Sequence, residues 1–359
     1  MDATCPIGVW PGVDWHLAAE VPAADRMAAL DAAAFPDVDR ADPDRRGIRT
    51  DGLVVVHRGA LVYERYAAGW TGLRRHLAWS ATKSVTNALT GIAVRDGLLS
   101  VDASICTAGF SAAIAPSCAV TVDDLLTFSS GWDWHETYEG ASPTSSSVLA
   151  MLYGEGRGDM AAFVTGHPLR AEPGATWMYS SGDTVVLSAV VGHALAPAFG
   201  DRWPWVVLFD PLGMDPVLER DGVGTYVGSS YLWATPRDLA RFGLLLLRDG
   251  CWDGQRLLPE GWVAWSTTPS DAMRGVTIGR DPGDVQGRQF WLNRPVPEAG
   301  QVDLPWPSVP EGAFAARGHW GQSVTVIPSL DLVVVRTADD REPVDLDPIL
   351  AAAIGLVTP

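Results

Sequence analysis

Residues 77–99 have the sequence LAWSATKSVTNALTGIAVRDGLL and contain the only lysine of the chain, Lys83. The other 25 strongly basic side chains are all arginine. Arginine can replace lysine where a solvated charge is enough, but guanidinium stays protonated in proteins, whereas a buried ammonium can lose its proton. Ser80 lies three residues before Lys83, about one helical turn away on the same face. This Ser-x-x-Lys spacing would let a neutral amine accept the proton of a serine hydroxyl.

The alternative interpretation is that the pattern is accidental. Ser-x-x-Lys is a loose motif, and a codon bias against lysine would also leave one lysine without a specific role. Chance agreement is less frequent in a chain with one lysine than in a lysine-rich chain, so the sequence favours catalysis.

Composition limits the class of protein. The 359 residues are enough for two modest domains or one large domain with an insertion, and 47% of them are hydrophobic. The net charge of −17 argues against nucleic acid and anionic membrane surfaces, because both bind basic patches. No apolar run approaches the length of a membrane span, so no membrane partner is expected. The sequence does not predict the oligomeric state.

No cofactor and no metal site are predicted. His135 and Glu136 lack the second histidine that a zinc-binding helix would need, and Gly222-Val223-Gly224 follows no predicted strand. The four cysteines have no C-x-x-C spacing. Cys106 and Cys118 are near enough to pair in an oxidising compartment, but free thiols are an equal alternative.

The start of the chain bears on localisation. MDATCPIGVWPGVDW has neither the basic region nor the continuous apolar region of a signal peptide. A cytoplasmic location is therefore favoured, and a periplasmic or secreted location is the alternative if the N-terminus has been trimmed.

Strand patterns lie at both ends of the chain. Residues 52–67 and 322–339 are predicted β-hairpins, and residues 289–296 are a further candidate strand. Consecutive hairpins imply an antiparallel sheet. We therefore predict an α/β domain formed by residues 1–105 and 226–359, and a mainly helical domain formed by residues 106–225.

Four helices are also predicted. They are an Ala-rich helix at 22–34, a helix from Ser80 that stops at Gly97, a capped helix from Thr235 to Gly250, and a short helix around 346–355.

Two further segments carry possible active-site groups. In EPGATWMYSSGDT (172–184), Tyr179 lies at a predicted loop–helix junction, where a phenol near an amine could relay protons; the alternative is a packing role. In Ala316–Gln322 (ARGHWGQ), glycine would let a substrate come close and leave an amide free to donate; the alternative is a plain loop. Trp177 and Trp320 are adjacent to these motif residues and could line an apolar acyl or alcohol pocket.

Together these segments resemble the serine β-lactamase/penicillin-recognising superfamily. Within it they are most similar to the β-lactamase-related hydrolases that include family VIII carboxylesterases and 6-aminohexanoate-dimer hydrolase. The matching segments, in family order, are LAWSATKSVTNALTGIAVRDGLL, VDDLLTFSSGWDW, EPGATWMYSSGDT, FDPLGM, ATPRDLARFG and GHWGQSVTVIPSLDLVVV.

The resemblance implies a fold and a set of roles. The fold would be a five-stranded antiparallel sheet flanked by helices, plus an all-helical domain, with the active site between them. Ser80 would be the acylated nucleophile, Lys83 its base, and Tyr179 the residue that passes a proton to the leaving group. The third motif would fall on Ala316-Arg317-Gly318, which makes the backbone amides of Ser80 and His319 the oxyanion donors.

A second register stays open for that motif. If His319-Trp320-Gly321 occupied it instead, Gln322 would be the donor. Gly318, Trp320 and Trp177 are expected to contact the substrate. Tyr138 is a further expected contact, because the segment 133–138 resembles a loop that supplies a tyrosine to the scissile amide in the aminohexanoate-dimer enzyme; the alternative is an exposed loop aromatic.

Two departures from the family pattern bear on the substrate. The second motif is Tyr-Ser-Ser rather than Tyr-x-Asn, and the third motif has no lysine, because Lys83 is the only one. In antibiotic-hydrolysing and peptidoglycan-processing relatives that lysine holds the substrate carboxylate. We therefore expect a serine hydrolase of small esters or amides, a carboxylesterase or linear-amide hydrolase. A β-lactamase or D,D-peptidase-like enzyme and a non-hydrolytic penicillin-binding-like receptor are the alternatives.

Overall fold

An antiparallel sheet built from both ends of the chain organises the computed structural model, which describes residues 5, 8–277 and 285–358. Its strands are β1 (Thr50–His57), β2 (Ala60–Tyr66), β3 (Trp291–Leu292), β4 (Phe314–Gly318), β5 (Gln322–Ile327) and β6 (Leu332–Ala338). Their order across the sheet is β2-β1-β6-β5-β4-β3, and each neighbouring pair is antiparallel. The N-terminal hairpin is therefore joined to the C-terminal one through the pairing of β1 with β6.

The strand count differs from the expected one. The sheet has six strands rather than five, because β3 adds a two-residue strand beside β4. Residues 289–296 were predicted as a longer strand, but Gln289 has a φ of 69° and Pro295 has no amide hydrogen for a ladder. The antiparallel sheet flanked by helices is confirmed as the class of fold.

Side chains along the central strands alternate between two cores. On β1, Val54 and Val56 belong to one buried cluster, and Leu53 and Val55 belong to the other. A strand buried on both faces needs apolar residues throughout, and this explains the continuous run LVVV. Helices must therefore cover both faces of the sheet.

Five longer helices provide most of this cover: α1 (Ala24–Ala34), α2 (Thr82–Arg95), α3 (Ser181–Phe199), α4 (Pro236–Leu247) and α5 (Asp347–Gly355). Helices α1 and α5 contribute Leu30 and Leu350 to the smaller cluster, which also contains Leu53. Helices α2, α3 and α4 contribute to the larger cluster on the opposite face. Residues 82–93 of α2 are all buried, so Lys83 lies in the protein interior.

Shorter elements complete the described part of the chain. The short helices are Val122–Leu126, Ser147–Tyr153, Met160–Thr165, Trp205–Phe209, Asp210–Leu212, Trp262–Ser266 and Asp271–Arg274. Single 3-10 turns are Trp79–Ala81, Ala115–Ala119, Glu155–Gly158, Pro297–Ala299, His319–Gly321 and Pro328–Leu330. A small three-stranded sheet contains His76–Leu77, Leu232–Ala234 and Val217–Leu218. A two-stranded sheet contains Cys251–Trp252 and Gln255–Arg256. Residues 106–225 are mainly helical, and the domain boundaries stay a prediction.

The predicted local elements are confirmed in most places. The first hairpin turns at Arg58-Gly59, and Gly97, with a φ of 69°, follows α2. Thr235 and Asp238 form the reciprocal capping box expected at the start of α4. The strand Phe314–Gly318 was not predicted from periodicity, and only the family resemblance indicated its place.

By length and composition alone, helix α3 could cross a membrane. The apolar runs of the sequence did not indicate this. Helix α3 packs instead on α2 and on Met160–Thr165, and Val185, Val186 and Val190 are fully buried in the larger cluster. These contacts are those of a core helix in a globular protein.

Both cysteine pairs form disulfides, Cys5–Cys251 and Cys106–Cys118. The free-thiol alternative is therefore wrong for Cys106 and Cys118. The first bridge ties the N-terminal segment to the strand Cys251–Trp252, a pairing that sequence spacing did not indicate. Disulfides are typical of oxidising compartments, so they weigh against the cytoplasmic preference, which stays an untested prediction.

A buried ion pair fixes the junction between β6 and the segment that follows it. The guanidinium of Arg336 donates to Asp340 over 2.6 and 3.0 Å and to the hydroxyl of Thr50 over 2.7 Å. Both charged side chains are only 2% exposed. Asp340 also accepts the backbone amide of Arg49, so the pair connects β6 to β1.

Asp340→Ala should lower the free energy of unfolding by about 3–5 kcal/mol, because Arg336 would stay buried without an opposite charge. Urea unfolding measures this change. Asp44→Ala is the matched control, since the Asp44 side chain is 72% exposed and 3.8 Å from Arg46; we expect a change below about 0.5 kcal/mol. Equal effects of the two substitutions would contradict this role of the buried pair.

Candidate active site

Ser80 lies in the single 3-10 turn Trp79–Ala81, directly before α2 begins at Thr82. Trp79 has a φ of 47°, a left-handed conformation that is uncommon for a large side chain and costs about 1–3 kcal/mol. The turn is held from both sides: the amide of Ala78 donates to Leu232 O over 2.8 Å, and the amide of Leu232 donates to Thr82 Oγ1 over 3.3 Å. The serine hydroxyl is thereby presented at the helix N-terminus.

Lys83 is buried beneath this hydroxyl, with 2% of the residue exposed. Its Nζ lies 3.1 Å from Ser80 Oγ, 2.9 Å from Ser181 Oγ and 3.1 Å from the carbonyl oxygen of Ser229. Burial lowers the pKa of Lys83 to about 8, although the charges of Glu136 and Asp183 oppose that change. A substantial fraction of the amine is therefore neutral near pH 8 and able to accept a proton.

Tyr179 lies on the other side of Ser80. Its phenol interacts with the side chain of Ser80, and its ring centroid is 5.0 Å from Lys83 Nζ. Burial raises the pKa of Tyr179 above its usual value, and the charge of Glu136 adds to the increase. The phenol is therefore protonated at neutral pH and can donate. Ser80 and Lys83, predicted from one motif, and Tyr179, predicted from another, lie together.

Strand β4 brings the third motif to the same place. A Cβ atom built on Gly318 would lie 2.0 Å from Ala78 O, so only glycine permits this close approach. His319 follows at the end of the strand. Gln322 lies on β5, opposite Gly318, and its side-chain amide donates to the carbonyl oxygens of Ala338 (2.6 Å) and His319 (3.1 Å). The side-chain amide of Gln322 is thereby occupied, and the register of the third motif stays a prediction.

A cluster of aromatic rings, the aromatic entrance, consists of Trp79, Tyr138, His319 and Trp320. Tyr138 stacks on His319 at 5.1 Å, and Trp320 packs edge-on against Trp79 at 5.3 Å. His319 also pairs with Glu139 over 2.8 Å. Gly318 and Trp320 therefore lie against the residues directly before Ser80, and the hydroxyl of Tyr138 lies 3.4 Å from Ser181 Oγ; that these three residues contact substrate stays a prediction. A cavity of about 500 Å³ lies on the far side of this motif, between Gly318, His319 and Trp320 and the segment 340–346; Ser80, Lys83 and Tyr179 do not line it.

Trp177 is the predicted residue that the structure does not bring into contact with the site. Within the described residues no ring contact or hydrogen bond joins it to Ser80 or to the aromatic entrance. Its indole nitrogen is buried and has no partner. Its position two residues before Tyr179 was its only sequence signal.

Two residues of the site were missed by sequence reasoning, Glu136 and Ser181. Glu136 accepts hydrogen bonds from Ser181 Oγ over 2.5 Å, from the Ser181 amide over 2.9 Å, from Trp134 Nε1 over 2.6 Å and from the hydroxyl of Tyr138. Ser181 in turn accepts from Lys83. The sequence signals were the position of Ser181 in Tyr-Ser-Ser and the proximity of Glu136 to Tyr138.

A second buried carboxylate, Asp183, lies in the first turn of α3. It accepts from the hydroxyl of Ser130 over 2.9 Å, and its amide donates to the capping hydroxyl of Ser180 over 2.9 Å. Burial raises the pKa of Asp183 to about 7, against the opposing hydrogen bonds from Ser180 and Ser130.

The fold and the Ser80–Lys83–Tyr179 cluster define a protein of the penicillin-recognising class. A sequence model of the Beta-lactamase family matches residues 34–358, and the chain belongs to this family. A 6-aminohexanoate-dimer hydrolase from Paenarthrobacter ureafaciens is 25% identical over 339 residues, covering 89% of this chain and 80% of the relative.

Solved structures agree on the fold. A protein from Bacillus anthracis described as a 6-aminohexanoate-dimer hydrolase superimposes with a TM-score of 0.65 at 22% identity, covering 98% of this chain and 89% of that one. A family VIII carboxylesterase superimposes with a TM-score of 0.63 at 17% identity, covering 94% and 98%. The resemblance to β-lactamase-related hydrolases is thereby confirmed.

Asp183→Asn should change how stability depends on pH. Because the folded-state pKa of Asp183 lies above the ordinary value of about 3.9, the folded protein holds a proton that the unfolded chain has lost between about pH 4 and 7. This group therefore makes the wild type less stable as pH rises through that window, and asparagine does not titrate. Relative to wild type, the variant should gain up to about 4 kcal/mol between pH 4 and 8 in urea unfolding. Parallel stability curves for the two proteins would contradict the buried acid.

Proposed function

We propose that this chain is a serine hydrolase that cleaves an ester or amide bond of a small substrate through an acyl-enzyme on Ser80. The observation that carries the proposal is the buried amine of Lys83, with its pKa lowered to about 8, within 3.1 Å of Ser80 Oγ. A hydroxyl next to a neutral amine can be deprotonated as it attacks.

In the acylation step, Lys83 takes the proton of Ser80 and the serine oxygen attacks the carbonyl carbon. The negative charge passes to the carbonyl oxygen, which the backbone amides of Ser80 and His319 stabilise. Collapse of the tetrahedral intermediate breaks the bond to the leaving alcohol or amine, which receives a proton from Tyr179; Lys83 then returns its proton to Tyr179. In deacylation, water gives a proton to Lys83 and attacks the carbonyl carbon of the ester; the bond to Ser80 Oγ then breaks, Oγ takes the proton from Lys83, and the acid leaves.

The substrate class follows from the third motif and the relatives. Ala316 stands at the position of the usual lysine, so that position has no cation to hold a substrate carboxylate; the guanidinium of the next residue, Arg317, lies 5.4 Å from the ring centroid of Trp291. Relatives are a carboxylesterase and hydrolases of 6-aminohexanoate dimer, a linear amide. We therefore favour short esters or linear amides over β-lactams and D,D-peptides.

Ser80→Ala should lower kcat/KM for p-nitrophenyl butyrate by about 10⁴- to 10⁶-fold and abolish labelling by a fluorophosphonate, since no other group supplies the attacking oxygen. Lys83→Arg should lose about 10²- to 10⁴-fold, because arginine keeps its proton. Circular dichroism checks that both variants are folded, and Ser100→Ala, an exposed position after α2, is the control for the substitution itself.

Three outcomes separate the alternatives. Turnover by Ser80→Ala would remove Ser80 from the mechanism. Labelling of the wild type without turnover of esters or linear amides would favour a receptor. Faster hydrolysis of nitrocefin than of any ester or linear amide would favour a β-lactamase.

The pH dependence of kcat/KM should follow the titration of the Lys83 amine. Activity needs neutral Lys83, and its pKa is lowered to about 8, so kcat/KM should rise with pH and reach half its plateau near pH 8. Tyr179 stays protonated over this range because its pKa is raised. Initial rates between pH 6 and 10 measure the midpoint; a flat profile from pH 6 to 9 would contradict the base role of Lys83.

A further inference from the structure

Four hydrogen-bond donors converge on the carboxylate of Glu136. Oε1 accepts from Ser181 Oγ over 2.5 Å and from the hydroxyl of Tyr138, and Oε2 accepts from Trp134 Nε1 over 2.6 Å and from the Ser181 amide over 2.9 Å. A carboxylate can accept at both oxygens and has no hydrogen to give. The directions of all four bonds are therefore set by Glu136.

The first consequence concerns Ser181. A serine hydroxyl has one hydrogen, and in Ser181 that hydrogen points to Glu136. Its oxygen can therefore only accept from Lys83 Nζ, which lies 2.9 Å away.

The second consequence concerns the amine itself. The other buried neighbour of Lys83 Nζ is the carbonyl oxygen of Ser229 at 3.1 Å, which also can only accept. A neutral amine has two hydrogens and one lone pair. With both hydrogens on Ser181 and Ser229, the lone pair is left for the hydroxyl hydrogen of Ser80, 3.1 Å away.

We infer that Glu136 is a positioning residue that acts through Ser181 to turn the lone pair of Lys83 toward Ser80. This inference rests on the proposed hydrolase function, and it names a residue that sets the direction of the proton transfer. Glu136 does not touch the reacting atoms. Without a carboxylate at this place, Ser181 could donate to Lys83 and occupy the lone pair that Ser80 needs.

Glu136→Gln tests the direction of these bonds with little change in shape. The groups facing Oε2, Trp134 Nε1 and the Ser181 amide, can only donate, so the glutamine oxygen must face them. Its NH₂ group then faces Ser181 Oγ and makes that hydroxyl turn its hydrogen to Lys83. We expect kcat/KM for the ester substrate and the rate of fluorophosphonate labelling to fall about 100-fold.

The double variant Glu136→Gln/Ser181→Ala separates orientation from simple loss of structure. Ser181→Ala alone should lose about tenfold, since one hydrogen of Lys83 lacks its acceptor. With no hydroxyl left to donate into Lys83, the double variant should be about as active as Ser181→Ala and therefore more active than Glu136→Gln. Losses that add, so that the double variant is the least active of the three, would overturn the inference.

The pH profile gives an independent readout. The charge of Glu136 raises the pKa of Lys83, so removing it should move the acid limb of the Glu136→Gln profile to lower pH. An unmoved limb would mean that the substitution acts only on structure. Glu155→Gln, an exposed carboxylate in the segment 106–225, is the control and should match the wild type.

If thermal unfolding shows that Glu136→Gln does not fold, two substitutions of equal size at Ser181 test the inference instead. Ser181→Asn can donate its NH₂ to Glu136 and accept from Lys83 with its oxygen, so the bond directions are kept. The carboxylate of Ser181→Asp has no hydrogen to donate to Glu136, so the Ser181→Asp variant should be at least about tenfold less active than Ser181→Asn. Equal activity of the two would overturn the inference. A wild type that neither labels nor turns over would instead remove the proposed function, and the inference with it.

Discussion

The site depends on placing one ammonium group where water cannot solvate it. Burial favours the neutral form of Lys83, while the charges of Glu136 and Asp183 favour the protonated form, and the balance places the pKa at about 8. A fully apolar pocket would lower the pKa of Lys83 further and make it a weaker base. Direct contact of the amine with a carboxylate would instead keep the proton on nitrogen. Hydroxyl and carbonyl neighbours bind the amine without adding a charge.

The fold supplies this environment. Helix α2 carries Lys83 into the core with all of residues 82–93 buried, Ser80 lies in the turn directly before this helix, and α3 places Ser181 across from the amine. Strand β4 approaches so closely that Gly318 nearly touches Ala78 O, which brings the amide of His319 to the edge of the site. The left-handed conformation of Trp79 is the backbone strain that accompanies this arrangement.

The sequence predicted what depends on local pattern and missed what depends on distant contacts. Ser80 and Lys83 were found because helical spacing and a single lysine are visible in one segment, and the hairpins because apolar runs flank turn residues. Glu136 was set aside as half of a zinc motif, since nothing local shows that its carboxylate faces Ser181, 45 residues later. The bridge Cys5–Cys251 spans 246 residues and is equally invisible in spacing. The edge strand β3 was predicted as residues 289–296, but its ladder extends only over Trp291–Leu292.

Because Lys83 is the only lysine, its protonation can be observed without mutation. Protein grown with lysine labelled with ¹³C at Cε and ¹⁵N at Nζ should give one side-chain signal, and its chemical shift can be followed from pH 6 to 11. The account predicts a titration midpoint near 8. A midpoint above 10, the value of a solvated lysine, would contradict it, because Ser80 would then face a charged ammonium at neutral pH.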